Sequence, residues 1–323
     1  MAHIGRTPDH GLPAGTYARE VIERLIIDLT YNSSRLEGNT YSLLETQRLL
    51  ELGQSADGKD LFETQMILNH KAAIEMLVEG AAEIGFDRHT IFSLHANLSD
   101  GLLADPSAGG RLRNRGVGIH GSLFLPLQVP QQIEECFDQI LATVNAIQDP
   151  FEQAFFVMVH LPYLQPFEDV NKRVSRLAAN IPLIQLNLCP LSFIDVPERD
   201  YIDGLLAIYE FNDVSILRDV FVWAYERSCQ AYQAVRQSLG EPDPFRLRHR
   251  SSIFKSVAAV IQQNMNKSEA ASFLQLESEA LPVEDRERWL KLINVELNAL
   301  HSGNFAKFRV TPLEFQRWQQ TWN

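Results

Sequence analysis

Apolar residues recur at intervals of three and four along most of this chain, and this spacing constrains the fold more than any other feature. The pattern is clear in 17–30 and returns in 61–80, 129–141 and 201–235. A period of 3.6 residues places such side chains on one face of a helix. The sequence therefore predicts a mainly all-α protein.

Composition narrows the class of protein. The 323 residues are 45% hydrophobic and 22% charged, which is typical of a folded globular chain. A formal net charge of −12 repels a polyanion, so we expect no nucleic-acid partner. No apolar run approaches 18 residues, and Cys136, Cys189 and Cys229 form no C-x-x-C pair. We expect a cytoplasmic protein with no membrane contact and no zinc site.

Local signals divide the chain into three predicted parts. Ser42 with Glu45, and Thr311 with Glu314, have the form of helix capping boxes, and a Gly/Pro-rich linker follows residue 239. We predict an N-terminal helical region over 1–84, a core over 85–240 and a small C-terminal helical domain over 245–323.

One segment departs from the helical pattern. Residues 116–126 alternate small or polar residues with apolar ones around Gly121 and Ser122. Alternation around a tight turn is typical of a β-hairpin, and we predict one here.

The segment Gln165–Arg176 carries the densest set of polar groups. Asp169, Asn171 and Lys172 lie just before or at a predicted helix start, and Arg173 and Arg176 share one face of its first turns. Helix N-termini favour anions, so a phosphate chain fits this position. Salt bridges from both arginines to nearby acids are an equally good interpretation of these residues alone.

The spacing resembles the signature of the Fic family, H-P-F-x-[D/E]-G-N-G-R-x-x-R. The matching residues are Pro166, Phe167, Asp169, Asn171, Arg173 and Arg176.

Two further segments resemble Fic proteins in the same order along the chain. Ser33, Glu37 and Gly38 fit the inhibitory motif [S/T]-x-x-x-E-[G/N]. Residues 118–126 are similar to the flap that docks the target, with the candidate residues Ile119, Gly121, Ser122 and Leu123. The resemblance implies a Fic-type helical bundle with one β-hairpin flap.

The resemblance also implies a function: Mg-ATP binding and transfer of AMP to a Ser, Thr or Tyr hydroxyl of a protein. It implies that Asp169 holds Mg²⁺, an ion that prefers oxygen ligands. It places Asn171, Lys172, Arg173 and Arg176 on the phosphates. Glu37 would pair with Arg176 and inhibit the protein, although an exposed acid at a helix end is the alternative for Glu37.

Two departures from the signature affect the expected chemistry. Gln165 stands where the family has its catalytic histidine, and an amide cannot accept the proton of an attacking hydroxyl. Val170 and Lys172 replace the two glycines, and the Asn-Lys-Arg run resembles the Doc branch, in which phosphate is transferred instead of AMP.

Two alternative functions remain open. The protein could be a catalytically silent Fic-like module that senses nucleotide or binds a partner. The C-terminal domain could be a regulatory helix-turn-helix, with a basic run at 245–250. His160, five residues before Gln165, is expected to be a packed helix residue. Self-association is an option that would help to hold Glu37.

Overall fold

The computed structural model describes residues 1, 4–7, 9, 11–239 and 244–322. It divides into two compact units, Met1–Leu239 and Gly240–Asn323. Residues 1–84 and the residues that follow them, up to Leu239, belong to the same compact unit. The division into three parts stays a prediction.

The first unit is built from helices, with one long connection, residues 100–129, between the fifth and the sixth of them. They are α1 (Thr16–Glu20), α2 (Ile22–Arg35), α3 (Leu43–Leu52), α4 (Leu61–Glu79), α5 (Arg88–Ser99), α6 (Pro130–Ala146), α7 (Pro150–Leu164), α8 (Asn171–Ala178), α9 (Ile181–Gln185), α10 (Glu198–Phe211) and α11 (Ser215–Leu239).

Helix α7 lies at the centre of this unit and packs against α6, α8, α9 and α10. Its side chains Ala154, Val157, Met158 and Leu161 are almost fully buried. A helix that is apolar on most of its faces must be enclosed by others. The segment that follows α7 therefore starts from an enclosed helix.

Helix capping follows the sequence closely. Ser42 Oγ accepts the Glu45 backbone N–H at 3.3 Å, and the Glu45 carboxylate accepts the Ser42 N–H at 2.7 Å. The same reciprocal pair joins Thr311 and Glu314. Both predicted capping boxes are confirmed, because each side chain satisfies an amide that the first turn leaves free.

The predicted β-hairpin at 116–126 is wrong. In the described part of the chain the one β-type pairing is an isolated bridge between Arg6 and Leu188. Ile119 and Phe124 instead pack against the helical core, while Leu123 and Leu125 face solvent. The alternation of small or polar residues with apolar ones is thus that of an extended loop with one side packed on the helices. We call residues 116–129 the flap.

The second unit has its own core. Its helices are α12 (Pro244–Arg248), α13 (Arg250–Gln262), α14 (Lys267–Ser278), α15 (Val283–Asn298) and α16 (Pro312–Trp322). Trp289 and Trp318 are both almost completely buried there. The mainly all-α fold class is confirmed.

Across the described ranges, the model contains no helix with the length and apolar character needed to span a bilayer.

Gly204 lets α10 and α11 approach closely. A Cβ at this position would lie 3.0 Å from the Leu217 backbone nitrogen and 3.1 Å from its Cα. We expect Gly204→Ala to destabilise the first unit by about 1–2 kcal/mol, because a helix backbone cannot move aside without repacking. Chemical denaturation measures this change. Gly118→Ala, where no atom lies within 4 Å, is the control and should change stability by less than about 0.5 kcal/mol.

Candidate functional site

The segment Gln165–Val170 is a tight loop between α7 and α8. Gln165 ends α7 with φ 50°, and Val170 precedes α8 with φ 68°, so both lie in the left-handed region. A β-branched residue rarely adopts this conformation. Val170 therefore keeps the backbone shape that glycine adopts freely, although it occupies a position where the Fic signature has glycine.

Asn171 holds the loop closed. Its Oδ1 accepts the Phe167 N–H at 2.9 Å, and its Nδ2 donates to the Phe167 carbonyl at 3.0 Å and to Gln165 Oε1 at 2.9 Å. The side chain is thus fully used inside the loop. The first N–H bonded within α8 is that of Val174, to the Val170 carbonyl at 3.0 Å, so the earlier amides remain available to an anion.

Gln165 is held at both ends of its amide. Its Nε2 donates to the Pro162 carbonyl at 2.7 Å, and its Oε1 accepts from Asn171. The side chain is nearly buried, with 9% exposure for the residue. Gln165 therefore serves as part of the loop scaffold and offers no proton acceptor of suitable basicity.

Arg176 is completely buried and has four contacts. Its Nε donates to Ser33 Oγ at 2.9 Å, one terminal nitrogen to the Ser33 carbonyl at 3.0 Å and Glu37 Oε1 at 2.7 Å, and the other to Tyr201 Oη at 3.1 Å. The guanidinium carbon also lies 5.3 Å from the Tyr201 ring centroid. The predicted neighbours Ser33, Glu37 and Arg176 are thus brought together.

Glu37 places one carboxylate between two cations. It follows α2, and Gly38, with φ 82°, turns the chain away directly after it. The second oxygen lies 2.9 Å from Lys172 Nζ. Burial by itself would raise the pKa of Glu37, but attraction to Arg176 and Lys172 outweighs it and lowers this pKa below its ordinary value.

A buried histidine supports the same arginine. His70 Nε2 lies 3.0 Å from Ser33 Oγ, and its Nδ1 lies 2.8 Å from the Met66 carbonyl. Burial and the nearby Arg173 lower the pKa of His70 to about 3, so the ring is neutral. A neutral ring whose Nδ1–H donates to the Met66 carbonyl accepts a hydrogen bond from the Ser33 hydroxyl at Nε2, and Ser33 Oγ in turn accepts from Arg176 Nε.

Arg173 is also buried but points elsewhere. One terminal nitrogen lies 3.4 Å from the Leu98 carbonyl, and its Nε has no hydrogen-bond partner within the described structure. Burial lowers the pKa of this guanidinium. A buried cation with so few partners is costly, and an anion close by would reduce that cost.

A cavity of about 260 Å³ opens beside these groups. Its described lining is Glu37, Gly118, Ile119, His120, Gln165, Asp169, Val170, Asn171, Lys172, Ile202, Leu205, Leu206 and Tyr209. Five predicted polar site residues and Ile119 thus share one cavity. Of the other predicted flap residues, Ser122 instead donates to Glu210 Oε1 at 2.9 Å, and Leu123 is 93% exposed. Gly121 takes the left-handed turn at the tip of the flap, with φ 81°.

Sequence reasoning missed Arg113, which joins the flap to the loop. Its Nε donates to the Gln165 carbonyl at 2.5 Å, and its terminal nitrogens to the Arg115 carbonyl at 2.8 Å and the Leu127 carbonyl at 2.5 Å. Its backbone N–H donates to the Pro166 carbonyl at 2.9 Å. A lone arginine in a loop gives no periodic signal, and its partners are carbonyls, which any residue carries.

The fold and the site define a helical protein with a tight loop between two core helices, backbone amides without an intrahelical partner at the start of α8, and a carboxylate beside them. Residues 85–183 match the model of the Fic/DOC family, and this stretch includes the whole loop. This stretch of the chain is therefore similar to the Fic/DOC family.

Known relatives agree with this assignment. Protein adenylyltransferase fic-1 of Caenorhabditis elegans is 27% identical over 197 residues, which is 58% of this chain and 38% of that protein. Protein adenylyltransferase Fic of Culex quinquefasciatus is 26% identical over 241 residues, or 73% of this chain and 47% of the relative. The chain thus spans less than half the length of these curated relatives.

Solved structures share the fold. Fic-1 from C. elegans superposes with a TM-score of 0.58 at 23% identity, covering 70% of this chain and 67% of that one. A Fic family protein from Desulfovibrio desulfuricans G20 gives a TM-score of 0.56 at 19% identity, covering 78% and 75%.

We expect Arg113→Ala to lower stability by about 2–4 kcal/mol, because three carbonyls lose a charged donor. Limited proteolysis should then cut the flap faster than in the parent protein. Arg115→Ala is the control: Arg115 is exposed and pairs with Glu168, so its loss should cost less than about 1 kcal/mol. Equal effects of the two substitutions would contradict the role given to Arg113.

The Glu37 pair should show in the pH dependence of unfolding. A carboxyl group whose pKa is lowered by folding stabilises the protein above its unfolded pKa, and this contribution is lost as pH falls through the lower folded value. We expect Glu37→Gln to cost about 3 kcal/mol at pH 7 and progressively less below about pH 4.5. Denaturant melts between pH 3 and 7 test this. Glu23→Gln, on the exposed face of α2, should change stability by less than about 0.5 kcal/mol throughout.

Proposed function

We propose that this chain binds Mg-ATP in the cavity beside α8 and transfers AMP, or alternatively phosphate, to a hydroxyl of a protein substrate. The observation that carries the proposal is the carboxylate of Glu37 held between Lys172 and Arg176 at 2.9 and 2.7 Å. Cations that bind a carboxylate at a helix start also suit a phosphate. Relatives named protein adenylyltransferases support the AMP option.

The residues present fit a magnesium nucleotide. Asp169 lines the cavity, and its Oδ1 accepts the Val170 N–H at 2.6 Å, which orients the carboxylate and leaves the second oxygen for a ligand. Mg²⁺ typically takes one or two carboxylates together with substrate phosphates and water. When bound, it would neutralise phosphate charge and polarise the phosphorus that is attacked.

The protein groups would act by position and charge. The free amides at the start of α8 and the Lys172 ammonium would bind the phosphate chain, and Arg176 would bind it once Glu37 moves out. The target hydroxyl oxygen would attack the α-phosphorus with loss of pyrophosphate, or the γ-phosphorus with loss of ADP.

The proton of that hydroxyl needs an acceptor other than Gln165. His120, in the flap, is the one histidine in the described lining of the cavity. Histidine is the commonest general base, and His120 is exposed enough to reach a hydroxyl docked at the flap. We propose His120 as the proton acceptor.

A second candidate function is a silent nucleotide-sensing module. Gln165 favours it, because both ends of its amide are bound within the loop and it supplies no base. In this case nucleotide would displace Glu37 without transfer, and the flap would carry the response to a partner.

ATP labelled at the α- or the γ-phosphate separates these functions. We expect Glu37→Gly to raise labelling of protein by at least tenfold over the parent, with the α-label for AMP transfer and the γ-label for phosphate transfer. Adding His120→Ala should reduce that labelling about 10²- to 10⁴-fold, the usual contribution of a general base. Adding Arg176→Ala should remove nucleotide binding, as measured by calorimetry.

Each result distinguishes between the transferase and the silent module, or tests the role of His120. Nucleotide binding without either label in Glu37→Gly, even after Gln165→His, would establish the silent module. Absence of both binding and label in the Glu37→Gly protein would contradict both functions. Full labelling after His120→Ala would exclude His120 as the acceptor.

A further inference from the structure

The excess of negative over positive charge in this protein lies in the first unit. Residues 1–239 contain 18 Lys+Arg and 31 Asp+Glu, whereas residues 240–323 contain 11 and 10. The net charge of −12 for the whole chain therefore says little about the second unit. Any polyanion that meets this protein would be repelled by the first unit and not by the second.

Basic side chains of the second unit gather around one cleft of about 750 Å³. Its described lining is Arg248, Arg250, Ser251, Phe254, Lys255, Ala258, Gln262, Lys307, Phe308 and Arg309. Five of these residues are cationic and none is acidic. Field lines concentrate in a concave surface of one sign, so this cleft attracts anions more strongly than the small net charge of the unit suggests.

Most of these cations are not neutralised by the protein. Within the described residues, Arg250, Lys255 and Arg309 have no carboxylate within ion-pair distance, and Arg248 reaches Asp285 only at 3.9 Å. Lys307 alone has a close partner, Glu296 at 2.6 Å. Elsewhere in the unit, ion pairs such as Lys291 with Glu287 at 2.7 Å are formed. Uncompensated charge on one surface indicates a ligand that supplies several negative charges.

The floor of the cleft is aromatic. The rings of Phe254 and Phe308 lie 5.0 Å apart, and the Arg250 guanidinium lies 5.3 Å from the Phe254 centroid. Phe254 is only half-buried. Phosphate-binding cations beside a partly open ring are the combination that nucleic-acid surfaces use for backbone contact and base stacking.

We propose that the cleft of the second unit binds nucleic acid through its phosphate backbone. An acidic polypeptide shares the negative charge but gains nothing from the partly open aromatic ring, so nucleic acid fits the residues better. This replaces the expectation of no nucleic-acid partner, which rested on the charge of the whole chain.

Fluorescence anisotropy on the full chain tests the proposal, with labelled 20-nucleotide single-stranded DNA, the same RNA sequence and the 20-base-pair duplex. We expect at least one of them to bind at 50 mM salt, with a logarithm of the binding constant that falls linearly as the logarithm of the salt concentration rises. Lys255→Glu combined with Arg309→Glu should weaken binding by at least tenfold. The double variant should also reduce the salt slope by about 1.4–1.8, the value for two phosphate contacts.

The control is Lys267→Glu combined with Arg317→Glu, which makes the same charge change on other exposed positions of the second unit. It should weaken binding less than threefold. Three results would overturn the proposal: no binding at 50 mM salt, equal losses in the two double variants, or poly-glutamate that binds as tightly as the nucleic acids. Circular dichroism melts show whether each double variant is folded. If the Lys255→Glu, Arg309→Glu protein is not folded, the single variants Arg248→Gln, Arg250→Gln and Lys307→Gln take its place in the binding measurements.

Discussion

The buried guanidinium of Arg176 is the interaction on which the rest of the site depends. A fully buried charge is costly unless all of its donors are used, and here Ser33, Glu37 and Tyr201 supply the acceptors. These three residues come from α2, from the turn that follows it and from α10. One charge on α8 therefore ties together segments that are far apart in sequence, and any ligand that binds Arg176 must compete with Glu37.

The loop before α8 is shaped by packing and not by glycine. Asn171 uses both ends of its amide to close the loop around Phe167, and Val170 accepts the left-handed backbone that this closure requires. Strain of this kind persists where surrounding contacts fix the chain, and it is commonly found at functional positions. Because the Asn171 side chain is already satisfied, the donors at the start of α8 that an anion could use are the backbone amides and the Lys172 ammonium. The position of the proposed anion site would thus be set by backbone geometry, and its strength by Lys172.

The sequence predicts correctly those features that a short stretch of residues determines by itself. The helical period, the capping boxes of Ser42 and Thr311 and the motif from Pro166 to Arg176 are all local signals, and the first two were confirmed by the structure. The prediction of a β-hairpin failed because two different structures share one sequence pattern. An extended flap with one side packed on helices shows the same alternation of polar and apolar residues as a β-strand. Sequence reasoning also missed Arg113, whose partner Gln165 lies 52 residues away and contributes only its carbonyl. A contact to a backbone carbonyl leaves no signal in the sequence, because every residue has such a carbonyl.

Net charge shows the same limit on a larger scale. An average over the whole chain combines a strongly acidic unit with a nearly neutral one that concentrates its unpaired cations in one cleft. Electrostatic attraction acts over about 8–10 Å at physiological salt, which is smaller than either unit. A ligand in the cleft would therefore respond chiefly to Arg250, Lys255 and Arg309, because charges that lie farther away than this are largely screened. The distribution of charge, once the fold has placed it, thus supports both proposals: a nucleotide beside α8 would compete with the Glu37 carboxylate, whereas a polyanion in the cleft would meet no acidic residue among the described lining.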